Sequence, residues 1–109
     1  MITWQDFEKI DIRVGTILEV KGFPTARKPA YRLTIDFGNE GIKKSSAQIT
    51  DLYSIDALVG KKIVAVINFP PKQIGRFISE CLVLGVYDKH KQIVLLQPDG
   101  ETGNGDKIG

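Results

Sequence analysis

Among 109 residues the chain has one cysteine and one histidine. A lone Cys81 excludes an intrachain disulfide, and nothing else in the composition points to an oxidising compartment. One cysteine and one histidine cannot supply the donors of a conventional zinc site. Long hydrophobic runs are missing as well. No stretch approaches the roughly 20 apolar residues that a membrane helix needs. The opening residues MITWQDFEK carry acids early and lack the apolar region of a signal peptide. The expectation is a cytoplasmic protein without membrane insertion.

Catalytic constellations are scarce. His90 lies among Asp88, Lys89 and Lys91 in a turn, with no partner to orient it as a base. Cys81 sits in an apolar stretch, where a thiol packs as a small hydrophobe and is inert. Ser45-Ser46 has neither a neighbouring base nor the glycines of a nucleophile elbow. Gly100, Gly103 and Gly105 do not follow a strand and open a helix, so they make no phosphate-binding fingerprint. The acids are dispersed. The expectation is a non-enzyme with no cofactor and no metal.

What is present suits one domain over residues 1–109: 42% hydrophobic and 26% charged residues, enough for one core without staples. The net charge of +2 is unevenly placed. Residues 1–12 carry −2, residues 13–76 carry +6 from eleven cations and five acids, and residues 77–109 carry −2. A basic middle points to an acidic or polyanionic partner.

Thr3 is placed to cap a short helix over Trp4–Glu8, with Asp6 near its positive end. Trp4 and Phe7 share a face, expected as a lid over the core, with a subunit contact as the alternative. Ile12, Val14, Thr16, Leu18 and Val20 alternate with Arg13, Gly15, Ile17 and Glu19, which predicts a strand. Gly15 within it suggests a bend or bulge, as a closing barrel requires. Phe23–Ala30, with two prolines and two cations, is a loop. Tyr31, Leu33, Ile35 and Phe37 predict a second strand. Gly38–Gly41 turns into a third, polar strand near Ile42–Gln48. Thr50 and Asp51 are offered as caps for a helical segment reaching Leu58, which Gly60 stops. Ile63–Ile67 lacks alternation and predicts a strand buried on both faces. Pro70 and Pro71 cannot donate to a ladder, so the chain leaves the sheet there. A fifth strand over Ser79–Tyr87, a turn at Asp88–Lys91 and a short strand at Ile93–Leu96 complete the pattern. Ile108 is the only apolar anchor of the glycine-rich tail.

Three strands, a short helix and further strands give the order of an all-β OB-fold, a five-stranded Greek-key barrel with short helices at the amino terminus and between strands 3 and 4. Such barrels bind ligands on the strand 2–3 face and through two loops, here Phe23–Ala30 and Asn68–Ile78. Both loops carry Phe-Pro or Phe-Pro-Pro and cations, and the fold predicts that they lie side by side. Loops held by a rigid scaffold commonly carry function.

The run Asp11-Ile12-Arg13-Val14-Gly15-Thr16-Ile17 resembles the opening motif of the tRNA-binding-domain family. So does the spacing of Asn68, Lys72, Gly75, Ser79 and Glu80. Where that family usually has His-Pro in its first loop, this chain has Phe23-Pro24. Its second loop usually reads Asn-Leu-Lys-Pro, and here it is Asn68-Phe69-Pro70-Pro71-Lys72. These departures, with Ser45-Ser46-Ala47-Gln48-Ile49-Thr50, resemble the CsaA branch of free-standing export-related chaperones, over about Phe7 to Ile108. The resemblance implies a cytoplasmic OB-fold homodimer that binds unfolded or preprotein segments and contacts the export motor ATPase.

Two binding functions follow. For a peptide, Phe23, Phe69, Ile74 and Phe77 would give apolar contacts, and Arg27, Lys72 and Arg76 would attract acidic groups or carbonyls. Strand addition at an open edge would supply sequence-tolerant hydrogen bonds. For tRNA or another structured RNA bound in trans, Arg13, Lys43, Lys44, Lys72 and Arg76 would meet phosphates, with Asn68, Ser79 and Glu80 from the family motif and a phenylalanine to stack. The loops are richer in apolar residues and proline than a phosphate track requires, which favours the peptide. The terminal segments, with Trp4, Phe7 and Ile108, are the expected dimer contact.

Overall fold

The computed structural model describes residues 1–109. Its centre is a five-stranded antiparallel sheet in the order β3-β2-β1-β4-β7, formed by β1 (Ile12–Gly22), β2 (Tyr31–Asp36), β3 (Ile42–Ala47), β4 (Lys62–Val66) and β7 (Leu82–Val83). The two edges of the sheet curl together. Between them run β5 (Lys72–Ile74) and β6 (Phe77–Ser79), a hairpin of its own, and β7 is followed by a hairpin of β8 (Gly85–Tyr87) and β9 (Ile93–Leu95). Short helices α1 (Trp4–Glu8) and α2 (Ile55–Leu58) stand at the amino terminus and between β3 and β4. The architecture is the expected all-β, OB-fold-like barrel. No helix is long and apolar enough to cross a membrane.

Inward positions of the strands build one core: Ile17, Leu33, Ile35, Phe37, Ile63, Ala65 and Leu95, all buried. Strand β4 is buried from Ile63 to Val66, as its lack of alternation implies. The strand β1 differs from a uniform alternation. Its pairing with β2 shifts between Ile17 and Glu19, so the bulge falls at Leu18 and not at Gly15. Before the bulge Gly15 and Ile17 face the core and Ile12, Val14 and Thr16 face out; after it Val20 faces in. Gly15 is needed for a different reason. A Cβ there would stand 2.7 Å from Ile35 Cγ2 and from the Phe37 ring, so the glycine lets β2 approach.

The outward face of β1 is covered by the tail. Val14 N–H donates to Asp106 O at 2.9 Å, Gly105 N–H to Val14 O at 2.8 Å and Ile108 N–H to Ile12 O at 2.9 Å. Thr16 Oγ1 bonds Asn104 Oδ1 at 2.7 Å, and Lys62 Nζ donates to Thr102 O. Backbone pairing therefore ties down a segment whose sequence offers only Ile108 as an anchor.

Both helices carry corrections. Thr3 and Asp6 form the expected capping box, yet α1 buries no residue and Trp4 is 78% exposed, so α1 is not a lid. The plug is Leu58 of α2, fully buried beneath the barrel. The cap of α2 is Ser54, whose Oγ accepts from Ala57 N–H, and not Thr50 or Asp51; all three residue types suit the position, and Ser54 is the one next to the helix. Gly60 at φ +84° ends this segment. The expected fifth strand over Ser79–Tyr87 is broken into β6, β7 and β8, because the chain must pass from closing against β3 to pairing with β4 and then turn away with β9.

Candidate functional site: a groove beside the β5–β6 hairpin

Asn68–Ile78 is not an irregular loop. After Pro70 and Pro71 the chain forms β5 and β6, joined by Gly75-Arg76, with Ile74 opposite Phe77 and Lys72 opposite Ser79. Gly75 has φ +61°, the left-handed value that the first residue of a tight type II′ hairpin turn demands. Opposed residues share a face, so Lys72, Ile74, Phe77 and Ser79 point one way and Gln73 and Ile78 the other.

The first face turns to the barrel. Phe77 meets Phe23 edge to face, with ring centroids 5.4 Å apart, and the Arg32 guanidinium lies 5.4 Å from the Phe23 ring on its own side. The two Phe-Pro segments therefore do meet. Phe23, however, is buried, so it holds Phe77 and offers no ring to a ligand; hydrophobic packing between the loops outweighs its exposure. Phe69 is 54% exposed, and Arg27, Lys72 and Arg76 stand in solvent with no ion pair.

Closure of the barrel fixes the hairpin. Glu80 N–H donates to Lys44 O at 2.7 Å, Lys44 N–H to Glu80 Oε1 at 3.1 Å and Ser46 N–H to Ser79 Oγ at 3.1 Å. Beneath them the fully buried Ser45 donates its hydroxyl proton to Cys81 O at 2.9 Å. Ser79 and Glu80 thus clasp the edge of β3. Asn68 clasps the other side: its Oδ1 accepts from Asp11 N–H at 2.9 Å and its Nδ2 donates to Lys9 O at 2.7 Å.

Between the hairpin and the outer face of β3 lies a groove of about 370 Å³. Phe69, Pro70, Ile74 and Leu82 give it an apolar floor, and Lys72, Ser46 and Gln48 give it polar walls. Ser46, Gln48, Pro70 and Leu82 were not among the residues expected to bind; the alternation of Lys44, Ser46 and Gln48 along and just past β3 is the signal that finds two of them. Strand β5 is paired on one side only, so its other edge keeps free backbone donors and acceptors. Cys81 also borders the groove, and burial pushes its thiol up to about 11, so it stays protonated and unreactive at neutral pH.

The residues named for RNA do not all come together. Arg13 donates Nε–H to Asp11 Oδ1 at 2.6 Å and NH1 to Gly105 O at 3.0 Å, and it pairs with Glu40 at 3.4 Å. Its hydrogen bond to Asp11 raises its pKa further above the usual arginine value. Lys43 and Lys44 are neighbours on one strand and so face opposite sides of it, Lys43 half-buried and Lys44 exposed. Only Lys72, Ser79 and Glu80 of that set line the groove, and two of these serve the closure. His90 is exposed in a turn that Asp88 Oδ1 organises by accepting from the His90 and Gln92 N–H groups.

Comparison with known proteins agrees with this fold. A family model described as "Putative tRNA binding domain" matches residues 12–107. The crystal structure of the CsaA chaperone protein from Picrophilus torridus is 59% identical with a TM-score of 0.94, and both chains are covered in full. That of the chaperone CsaA from Bacillus anthracis is 50% identical with a TM-score of 0.94, over 100% of this chain and 99% of that one. The methionine–tRNA ligase of Methanococcoides burtonii is 31% identical over 96% of this chain, which spans only 15% of the ligase. The chain therefore belongs to the tRNA-binding-domain family, among its CsaA-type members.

Proposed function

We propose that the chain is a non-enzymatic chaperone that holds unfolded or preprotein segments in the groove between β3 and the β5–β6 hairpin, in the cytoplasm. The observation that carries this reading is the coincidence of an exposed Phe69 and an apolar floor in one groove, beside a hairpin whose β5 strand has an unpaired edge. An extended segment can add to β5 by backbone hydrogen bonds, which are indifferent to sequence, while apolar side chains settle on Phe69, Ile74 and Leu82. Lys72, Arg76 and Arg27 supply cations for acidic groups or carbonyls around it. The names of the two CsaA structures support the same class of function.

The reading includes a homodimer through the terminal segments. Trp4 and Phe7 stack edge to face at 6.4 Å on a helix that buries nothing, and Ile2, Trp4, Phe7 and Gly109 border an open apolar hollow of about 630 Å³. Such a surface is suited to a second copy. Contact with the export motor ATPase belongs to this reading through the family resemblance. Suppression of aggregation of a chemically unfolded client tests the groove. Wild-type protein suppresses it, and Phe69→Ala with Leu82→Ser loses most of the effect; unchanged suppression would place client binding elsewhere.

The family model favours a second reading, binding of tRNA or another structured RNA in trans. Arg13, Lys43, Lys44, Asn68, Lys72, Arg76, Ser79 and Glu80 are its candidate residues. Phosphate contacts release counterions, so such a complex weakens steeply with salt. A labelled tRNA titrated at low and high salt decides it, and no complex at low salt removes this reading.

A further inference from the structure

The groove does not end at β3. Gln48, at its end, also lines a second pocket of about 360 Å³ whose wall is mainly polar. Three separate parts of the chain build this pocket: Lys28 from the first Phe-Pro loop, Thr50 and Asp51 from the segment after β3, and Tyr87 and Lys91 from the β8–β9 hairpin. Neither lysine takes part in any ion pair, so the single acid on the rim, Asp51, does not neutralise them. Tyr87 is 73% exposed, which leaves its phenol free to donate.

Lys91 adds an independent observation. It is the one non-glycine residue with positive φ, at +60°. That left-handed conformation disfavours residues with a Cβ, and glycine would adopt it freely. The hairpin carries this strain at a position where its side chain lines the pocket. The turn itself asks for this conformation, since Lys91 N–H closes it by donating to Asp88 O at 2.9 Å, and lysine in place of glycine there keeps a cation on the pocket wall.

We propose that the pocket of Lys28, Tyr87 and Lys91 is a carboxylate subsite at the end of the client groove, which selects polypeptide segments with an acidic group following an apolar stretch. The inference rests on the groove being the client site. Two lysines and a tyrosine line one pocket, so a carboxylate held there has ammonium and phenol donors around it, and charge-assisted hydrogen bonds of this type are the strong ones. Gln48, on the shared wall, can bond the backbone between the two subsites. The apolar groove then supplies general stickiness and the pocket supplies choice among segments.

The test compares three fluorescent peptides that share one apolar stretch: one with a glutamate after it and an amidated end, one with glutamine there and an amidated end, and one with glutamine and a free carboxylate end. Against the wild type the first binds more tightly than the second. The third identifies whether a terminal carboxylate is accepted as well as a side chain, and either source satisfies the subsite. Lys91→Gly removes one cation and relieves the backbone. It is expected to raise the thermal midpoint while weakening the glutamate peptide by roughly fivefold or more and leaving the glutamine peptide unchanged. Lys28→Gln repeats the loss of affinity without the gain in stability. A residue with only a structural role would not move stability and binding in opposite directions. Equal binding of all three peptides by wild type and variants overturns the subsite while leaving the groove intact. No binding of any peptide defeats the groove reading itself, and loss of tRNA binding in place of peptide binding overturns the assignment to a polypeptide.

Discussion

Phe23, from the loop after β1, and Phe77, from β6, stack edge to face with their centroids 5.4 Å apart, the first ring buried and the second half-buried. The contact seats the β5–β6 hairpin on the mouth of the barrel and so sets the width of the groove. Hairpins of this size are not stable by themselves. Replacing either ring by alanine removes the seat, and each single change should cost about 2–4 kcal/mol, less at Phe77 than at Phe23. In a double-mutant cycle by urea unfolding, the coupling between the two should be about 1 kcal/mol. Additive losses would mean that the rings stabilise their loops separately.

The close approach of β2 to Gly15 gives a second expectation. A methyl group there meets Ile35 and the Phe37 ring at a distance real side chains do not tolerate. Gly15→Ala should lower stability by about 1–3 kcal/mol through overpacking, measured as a shift in the denaturation midpoint at constant slope. Gly22, where a Cβ meets nothing, should accept alanine with little effect.

The thiol of Cys81 gives a third. Burial raises its pKa in the folded protein to about 11, from 9.0 when free. A raised folded-state pKa favours the folded state fully below pH 9, and that contribution is lost as the pH rises through 9 to 11, where the unfolded chain releases the proton first. The loss should reach about 2–3 kcal/mol, read as the difference between wild type and Cys81→Ala across that range. At pH 8 the folded protein should react with an alkylating reagent only at its rate of opening. Fast labelling of the native protein would contradict the burial of this group.

The tail gives a fourth. It covers Val14, which is 2% exposed, through three backbone hydrogen bonds and the Thr16–Asn104 bond. Removing residues 102–109 should cost about 2–4 kcal/mol from exposed apolar area and lost bonds together. Asn104→Ala should cost about 1 kcal/mol. A truncated chain with an unchanged melting temperature would show that the strap adds nothing.

Much of this was legible in the residues, and the exceptions have physical reasons. The alternation in Tyr31–Phe37 and the continuous burial of Ile63–Ile67 placed two central strands, because each side chain there answers to one face or to both. The bulge at Leu18 was hidden, since Ile12–Val20 reads as an unbroken alternation while Ile17 on the other parity is the residue that enters the core. The hairpin of Lys72–Ser79 was hidden because three-residue strands carry too little periodicity to outweigh two prolines. That the Phe-Pro loops meet followed from the fold. That Phe23 would be the buried partner and Phe69 the exposed one did not, because which of several phenylalanines is covered depends on packing from distant segments. Ser79 and Glu80 stood out by their spacing, yet their use as a clasp on β3 became visible only once the edges of the barrel were in place.

Titration of the isotopically labelled protein with an unfolded client peptide, followed by amide chemical shifts, tests most directly whether the groove is where polypeptide is held. Perturbations should gather on Phe69, Lys72–Ile74, Ser46–Gln48 and Leu82, with little change on the tail and α1. Shifts confined to α1 and the tail, or none at a client concentration where aggregation is suppressed, would contradict it.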